Sequence, residues 1–227
     1  MRVQIGPRLR VPVSTESAWF VKTTKNPDLD GAMKRQFWPV PQMSCLVSRI
    51  RNGLVFTNRC FAHGTGGDMV VSCGEGRRLV LIEVSHSQGV CFSMRNLIGP
   101  KSTVHIESYI NLSVAASGAD RNFVYMAWCP RPDDRGAILL ETTGEPTTLR
   151  NGQASFDMRR LLAWDPRVEF KLEDLVGIAD VVMTHPHARA RWNCEDDAVL
   201  LAADDSEGEQ FVGRMMRQAM AILVPGF

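Results

Sequence analysis

The segment with the strongest claim to chemistry is His185-Pro186-His187, with Cys194 and Glu195 downstream. Two histidines at i and i+2 of a strand point to the same side, which suits imidazole ligation of a divalent metal. A metal-dependent enzyme built on such a pair needs a carboxylate a few residues on and a further histidine from elsewhere in the chain. Glu195 lies farther along than that spacing, and His63, His86 and His105 are the histidines left for the distant role. Pro186 disfavours a regular interior strand. Arg189 and Arg191 add positive charge to the same stretch. The segment therefore reads as an exposed polar loop, with a metal site at His185 and His187 as the alternative.

Three other constellations carry weaker signals. His63-Gly64-Thr65-Gly66-Gly67 has the glycines of a phosphate loop but lacks the Lys-Ser/Thr that would follow, and no helix offers its N-terminus. It reads as a turn before the strand at Met69. Ser85-His86-Ser87 and Asp157 supply the residue types of a hydrolytic triad, without a Gly-x-Ser-x-Gly elbow. Arg8, Arg10, Lys34, Arg35, Arg77 and Arg78 could form a basic rim for RNA, but such binding wants exposed aromatics beside the cations. Trp38, near Lys34 and Arg35, is the one such pairing in the sequence. Solvated surface charge is the simpler reading of the set.

The chain has 227 residues, of which 44% are hydrophobic and 22% charged, and its formal net charge is +1. Such a chain can bury a large core without disulfides or metal. Bulk charge gives no nucleic-acid footprint. The six cysteines form no C-x-x-C pair, and most sit in apolar runs such as Ala127-Trp128-Cys129. There a thiol acts as a small core hydrophobe, which fits a reducing compartment. No window approaches the roughly 18 apolar residues of a membrane span. The N-terminal stretch lacks the apolar run of a signal peptide. A soluble, cytoplasmic protein is expected, with no cofactor.

The elements that must position these residues are mostly strands. Residues 1 to about 40 are mixed, and Thr23 to Asp30 reads as a surface loop. Ser44 to Ile50 and Leu54 to Phe61 flank Asn52-Gly53, a strong hairpin signal. Met69 to Ser72 and Leu79 to Val84 flank a Gly-Glu-Gly turn. Val104 to Val114 alternates with period two, as a half-buried strand does. Phe123 to Trp128, Ala137 to Glu141, Leu161 to Trp164 and Val181 to Met183 continue the series. A helix is expected over about 207–224, opened by Ser206 and Glu209 as a capping box and stopped by Pro225-Gly226.

The chain also repeats itself. Phe92-Ser93-Met94-Arg95-Asn96-Leu97-Ile98 matches Phe156-Asp157-Met158-Arg159-Arg160-Leu161-Leu162 as Phe-x-Met-Arg-x-Leu-apolar, at an offset of 64 residues (156 − 92). An apolar strand and a Gly-Glu turn stand upstream of each, at Met69 to Glu75 and at Ala137 to Glu145. Self-similarity of this kind marks supersecondary units that share a core. Pseudo-repeats are expected at about 66–100 and 134–166, with a divergent third from about 178, all within one domain of residues 1–227.

The stretch from about Gly66 to Trp164 resembles the altered-inheritance-of-mitochondria twenty-four family. The residues that carry the likeness are Gly67-Asp68-Met69-Val70-Val71, Gly89-Val90-Cys91-Phe92 with Leu97-Ile98-Gly99, Gly136-Ala137-Ile138-Leu139-Leu140 with Gly144, and above all Phe156-Asp157 through Leu161-Leu162-Ala163-Trp164-Asp165. The resemblance covers the middle half of the chain. Glu195-Asp196-Asp197 stands where that family usually has a Gly-Pro-Gly-like turn. The resemblance implies a β-sandwich similar to the tryptophan RNA-binding attenuator protein, homo-oligomers that are often trimers, and no established enzymatic activity.

Together these features predict an all-β protein, a β-sandwich of pseudo-repeated antiparallel units with a C-terminal helix. The expected function is a non-catalytic, oligomeric scaffold or binding module. A metal-dependent, cupin-like enzyme using His185 and His187 is the alternative, and an RNA-binding protein the second alternative.

Overall fold

The computed structural model describes residues 2–39, 54–64, 66–109, 124–150, 156–157, 160–172, 189–193 and 198–201. They form 19 strands and one short 3₁₀ turn, η1 (Met94–Asn96). All strand pairings are antiparallel. The chain is all-β, as the short, turn-punctuated apolar runs predict. The helix expected over 207–224 and the hairpin turn at Asn52-Gly53 lie outside the described residues. So does most of the divergent unit expected from about 178.

After β1 (Val3–Gly6), the strands fall into three sets of six. The first set is β2 (Arg8–Val13), β3 (Ala18–Lys22), β4 (Asp28–Leu29), β5 (Met33–Pro39), β6 (Phe56–Ala62) and β7 (Gly67–Ser72). The second is β8 (Arg77–Val84), β9 (Val90–Phe92), β10 (Leu97–Pro100), β11 (His105–Tyr109), β12 (Val124–Trp128) and β13 (Gly136–Thr143). The third is β14 (Thr147–Arg150), β15 (Phe156–Asp157), β16 (Leu161–Trp164), β17 (Glu169–Leu172), β18 (Arg189–Asn193) and β19 (Ala198–Leu201). In each set the sixth strand pairs with the first and the third, and the fifth pairs with the second and the fourth. The two Phe-x-Met-Arg-x-Leu segments both enter on the second strand of a set and reach the third, as β9–η1–β10 and β15–β16. The sets begin at Arg8, Arg77 and Thr147, whereas the sequence windows 66–100 and 134–166 each start on a sixth strand and run into the following set.

Residues 1–40 read as mixed in sequence, yet they hold five strands. β2 buries Leu9, Val11 and Val13 and exposes Arg8, Arg10 and Pro12, a period of two. Pro12 is tolerated because β2 pairs only with β7 and lies at the edge of its sheet. The stretch Thr23 to Asp30, expected to be loop throughout, contributes β4, which pairs with β7 at Asp28↔Val70 and Leu29↔Met69.

One sheet, ordered β1-β8-β13-β10, runs through the middle. Val80, Ile82, Ile138, Leu140 and Leu97 point to one side of it, where Val90, Phe92, Ile106, Tyr125 and Leu162 form a core. Leu79, Leu81, Ala137, Leu139 and Ile98 point to the other, against Leu9, Val11, Trp19, Val21, Cys60, Met69 and Val71. A strand covered on both faces needs apolar residues at every position, and β8 and β13 supply them as Leu79–Ile82 and Ala137–Leu140.

Close approach of the first two sets depends on Gly99. A Cβ there would lie 1.7 Å from the Phe20 carbonyl oxygen. An isolated bridge between Trp19 and Lys101 continues the contact. No helix among the described residues is long and apolar enough to cross a membrane.

Candidate anion-binding site

The end of β3, η1 and the paired strands β8 and β13 enclose a cavity of about 480 Å³ where the first set meets the second. β3 ends at Lys22, and a turn closed by the Lys25 N–H donating to the Lys22 carbonyl at 2.9 Å brings Lys25 back beside it. η1 supplies Arg95 and Asn96, β8 begins with Arg77, and β13 supplies Glu141 with Thr142 and Thr143. Among the described residues, four cations therefore share a cavity whose lining holds a single carboxylate.

Glu141 is fully engaged. Lys25 Nζ lies 2.5 Å from its Oε1 and Arg77 donates to its Oε2 at 3.1 Å. Asn96 Nδ2 donates to its backbone carbonyl at 2.8 Å. Its side chain is only 12% exposed, so it works as an inner counter-ion rather than a solvated surface acid.

Lys22 receives no such partner. Among the described residues, its one hydrogen bond donates to the Arg95 carbonyl at 3.4 Å. Burial pushes its ammonium down from 10.5 to about 8; Glu141 acts against the fall and Lys25 adds to it. A desolvated cation beside further cations is stabilised by whatever anion arrives.

The residues singled out in sequence are distributed otherwise. His185 and His187 lie outside the described residues, as do Cys194 and Glu195. His86 Nδ1 is 2.9 Å from the Cys129 carbonyl, and His105 packs edge-on to Trp128 at 5.5 Å. Among the described residues no three His, Cys, Asp or Glu side chains are placed to hold a metal. Ser85 Oγ accepts from the Gln88 N–H at 3.1 Å, closing the turn between β8 and β9. Gly64 and Gly66 take φ of 96° and 93°, the left-handed conformation of a turn, and strand β7 follows directly.

The proposed basic rim is dispersed. Arg8 pairs with Asp28, Arg10 with Asp68 and Arg78 with Glu145. Arg35 donates to the Asn26 side chain. Only Arg77 of that set enters the cavity. On the β5–β6 hairpin, Trp38 is 41% exposed, and the Arg59 guanidinium lies 5.7 Å from its ring centre and 5.1 Å from that of Phe61. Phe37 and Phe56, both exposed, stack at 5.0 Å.

Lys22, Lys25, Arg95 and Glu141 were not legible as a group. Lys25 falls in a polar turn, and Glu141 reads as the end of an apolar strand. Arg95 had one signal, its place inside the repeated Phe-x-Met-Arg segment.

The chain matches no model of a known protein family and no curated protein. Its fold is similar to that of a protein from Streptococcus pyogenes determined by X-ray crystallography. The two are 12% identical with a TM-score of 0.56, and the match covers 95% of this chain and 99% of that one. At that identity the likeness shows the fold alone.

Proposed function

We propose that this protein is a non-catalytic binding module whose ligand is a small anion carrying phosphate, sulfate or carboxylate groups. The observation that supports it best is Lys22, a half-buried lysine that shares the cavity with Lys25, Arg77 and Arg95, while the one carboxylate lining it among the described residues is already shared by two of them. The lining is one of recognition groups: guanidinium and ammonium donors, together with Thr24 and Thr143. Arginine forks suit planar oxyanions and lysines act as point charges.

Thermal melts in inorganic phosphate, in sulfate and in chloride at matched ionic strength test this. A ligand present at about ten times its Kd stabilises by about 1.4 kcal/mol, which raises Tm by roughly 3–6 °C for a chain of this size. Phosphate or sulfate should give that rise, and Arg95→Gln should reduce it. Equal melts in all three salts would sink the proposal.

A further inference from the structure

We propose that Lys22 captures its ligand covalently, forming an imine with an aldehyde or ketone whose anionic group is held by Lys25, Arg77 and Arg95. The proposal rests on the anion-binding reading and names the ligand class of that same cavity: a phosphorylated or carboxylated carbonyl compound.

Three features of the site support it. First, the amine has space before it. The cavity of about 480 Å³ is large enough for a small phosphorylated molecule, and Lys22 is one of its lining residues. Second, the amine is free of a carboxylate clamp, since both oxygens of Glu141 are engaged by Lys25 and Arg77. Its neighbour on η1 offers only a backbone carbonyl at 3.4 Å. Third, among the described residues the charged groups that line the cavity with it are Lys25 from the turn, Arg95 from η1, and Arg77 and Glu141 from the paired strands. Burial and the Lys25 ammonium favour the neutral amine at Lys22, against the pull of Glu141. Desolvation and neighbouring cations are the two ways in which an amine becomes nucleophilic near neutral pH.

The step is balanced without a further reagent. The Lys22 Nζ lone pair attacks the carbonyl carbon and opens the C=O bond to give a carbinolamine. The carbinolamine oxygen leaves as water, carrying both protons of the neutral amine, and a C=N bond remains. The reaction is reversible, so the site holds and releases its ligand without consuming it. The anionic group decides which carbonyl compounds stay long enough to react.

Pyridoxal 5′-phosphate is the probe, with unphosphorylated pyridoxal as the control. After incubation of the full chain at pH 7.5 and borohydride reduction, peptide mapping reads which amines carry the label. The chain has five lysines, so the map is simple. At that pH an amine with the depressed value of Lys22 holds about 200-fold more free base than an ordinary lysine. Lower intrinsic nucleophilicity takes back part of that factor. The expected result is labelling of Lys22 at least tenfold faster than Lys25, Lys34, Lys101 or Lys171, slowed by inorganic phosphate but not by chloride of equal ionic strength. Arg95→Gln should lose much of the preference for the phosphorylated probe while melting like the parent, which separates recognition from folding. Label spread across the lysines in proportion to exposure would overturn the proposal. So would equal rates with pyridoxal and its phosphate. Phosphate-dependent melting without selective labelling would remove the covalent step and leave the anion site standing; absence of both would remove the site.

Discussion

Lys22 shows what one side chain gives up for a binding site. In the folded chain its ammonium is disfavoured by burial, whereas in the unfolded chain it is solvated. The folded-state value of about 8 lies below the unfolded value of 10.5, so between these pH values the unfolded chain binds more protons and stability rises with pH. Below pH 8 the penalty is present in full. Lys22→Met removes it, and denaturant titration at pH 7 should find the variant more stable by about 1–3 kcal/mol, a gap that closes as pH rises toward 10.5. A variant less stable than the parent at pH 7 would show that the ammonium has a partner after all. Asp165 is the opposite case. Burial works to raise its carboxyl, but hydrogen bonds from the Arg167 side chain and backbone and from Gln88 hold it below the ordinary range. It closes the turn after β16, and the sequence marked it only as the end of the Leu-Leu-Ala-Trp-Asp segment. The thiols were easier to read. Cys60 in β6, Cys91 in β9 and Cys129 just after β12 are buried, and burial pushes each thiol up, Cys60 to about 11, so none is an active thiolate at neutral pH.

At the scale of elements, the junction between β10 and β3 is the least forgiving contact. Gly99→Ala must move a strand or a carbonyl, because the added methyl would overlap the Phe20 backbone. The expected cost is on the order of 3–5 kcal/mol, a fall in Tm of roughly 10 °C, read in a thermal melt. A change of less than about 1 kcal/mol would mean the strands separate easily there. Ala163 stands 64 residues on from Gly99 and is accommodated, because β16 lies beside β9 in one sheet, with Ala163 opposite Phe92. The same position thus has different neighbours at the two junctions, and a sequence repeat cannot reveal that. Strand identity was legible wherever apolar residues ran together or alternated, as in β8, β11 and β13. It was not legible in residues 1–40, where Pro12 and the polar turns hid an edge strand. The β5 edge carries Lys34 and Arg35 beside its exposed aromatics, charges that discourage strand-to-strand aggregation.

For the whole molecule, the recurrent pairing scheme matters less to stability than the sheet that two cores share. Ile138 and Leu139 are adjacent in β13 yet belong to different cores. Losing either core strips one face of the same sheet, so both should melt together. Ile138→Ala and Leu139→Ala are each expected to cost about 2–5 kcal/mol and to lower one common transition in calorimetry and circular dichroism. Two resolved transitions, each sensitive to one of the substitutions, would show that the cores are independent. An all-β chain was legible from turn-punctuated apolar runs. That one sheet serves two cores was not, because it depends on which strands sit between others, and that is decided by pairings far apart in sequence.

Trp19, Trp128 and Trp164 have buried indole N–H groups without hydrogen-bond partners among the described residues. They stand in the first, second and third sets of strands respectively. An indole in dry surroundings emits toward the blue, and its emission moves to the red when water reaches it. The chain therefore carries an optical reporter in each third of its length, and versions that keep one of the three, with Trp38 and Trp192 replaced as well, would show by colour alone which part opens first.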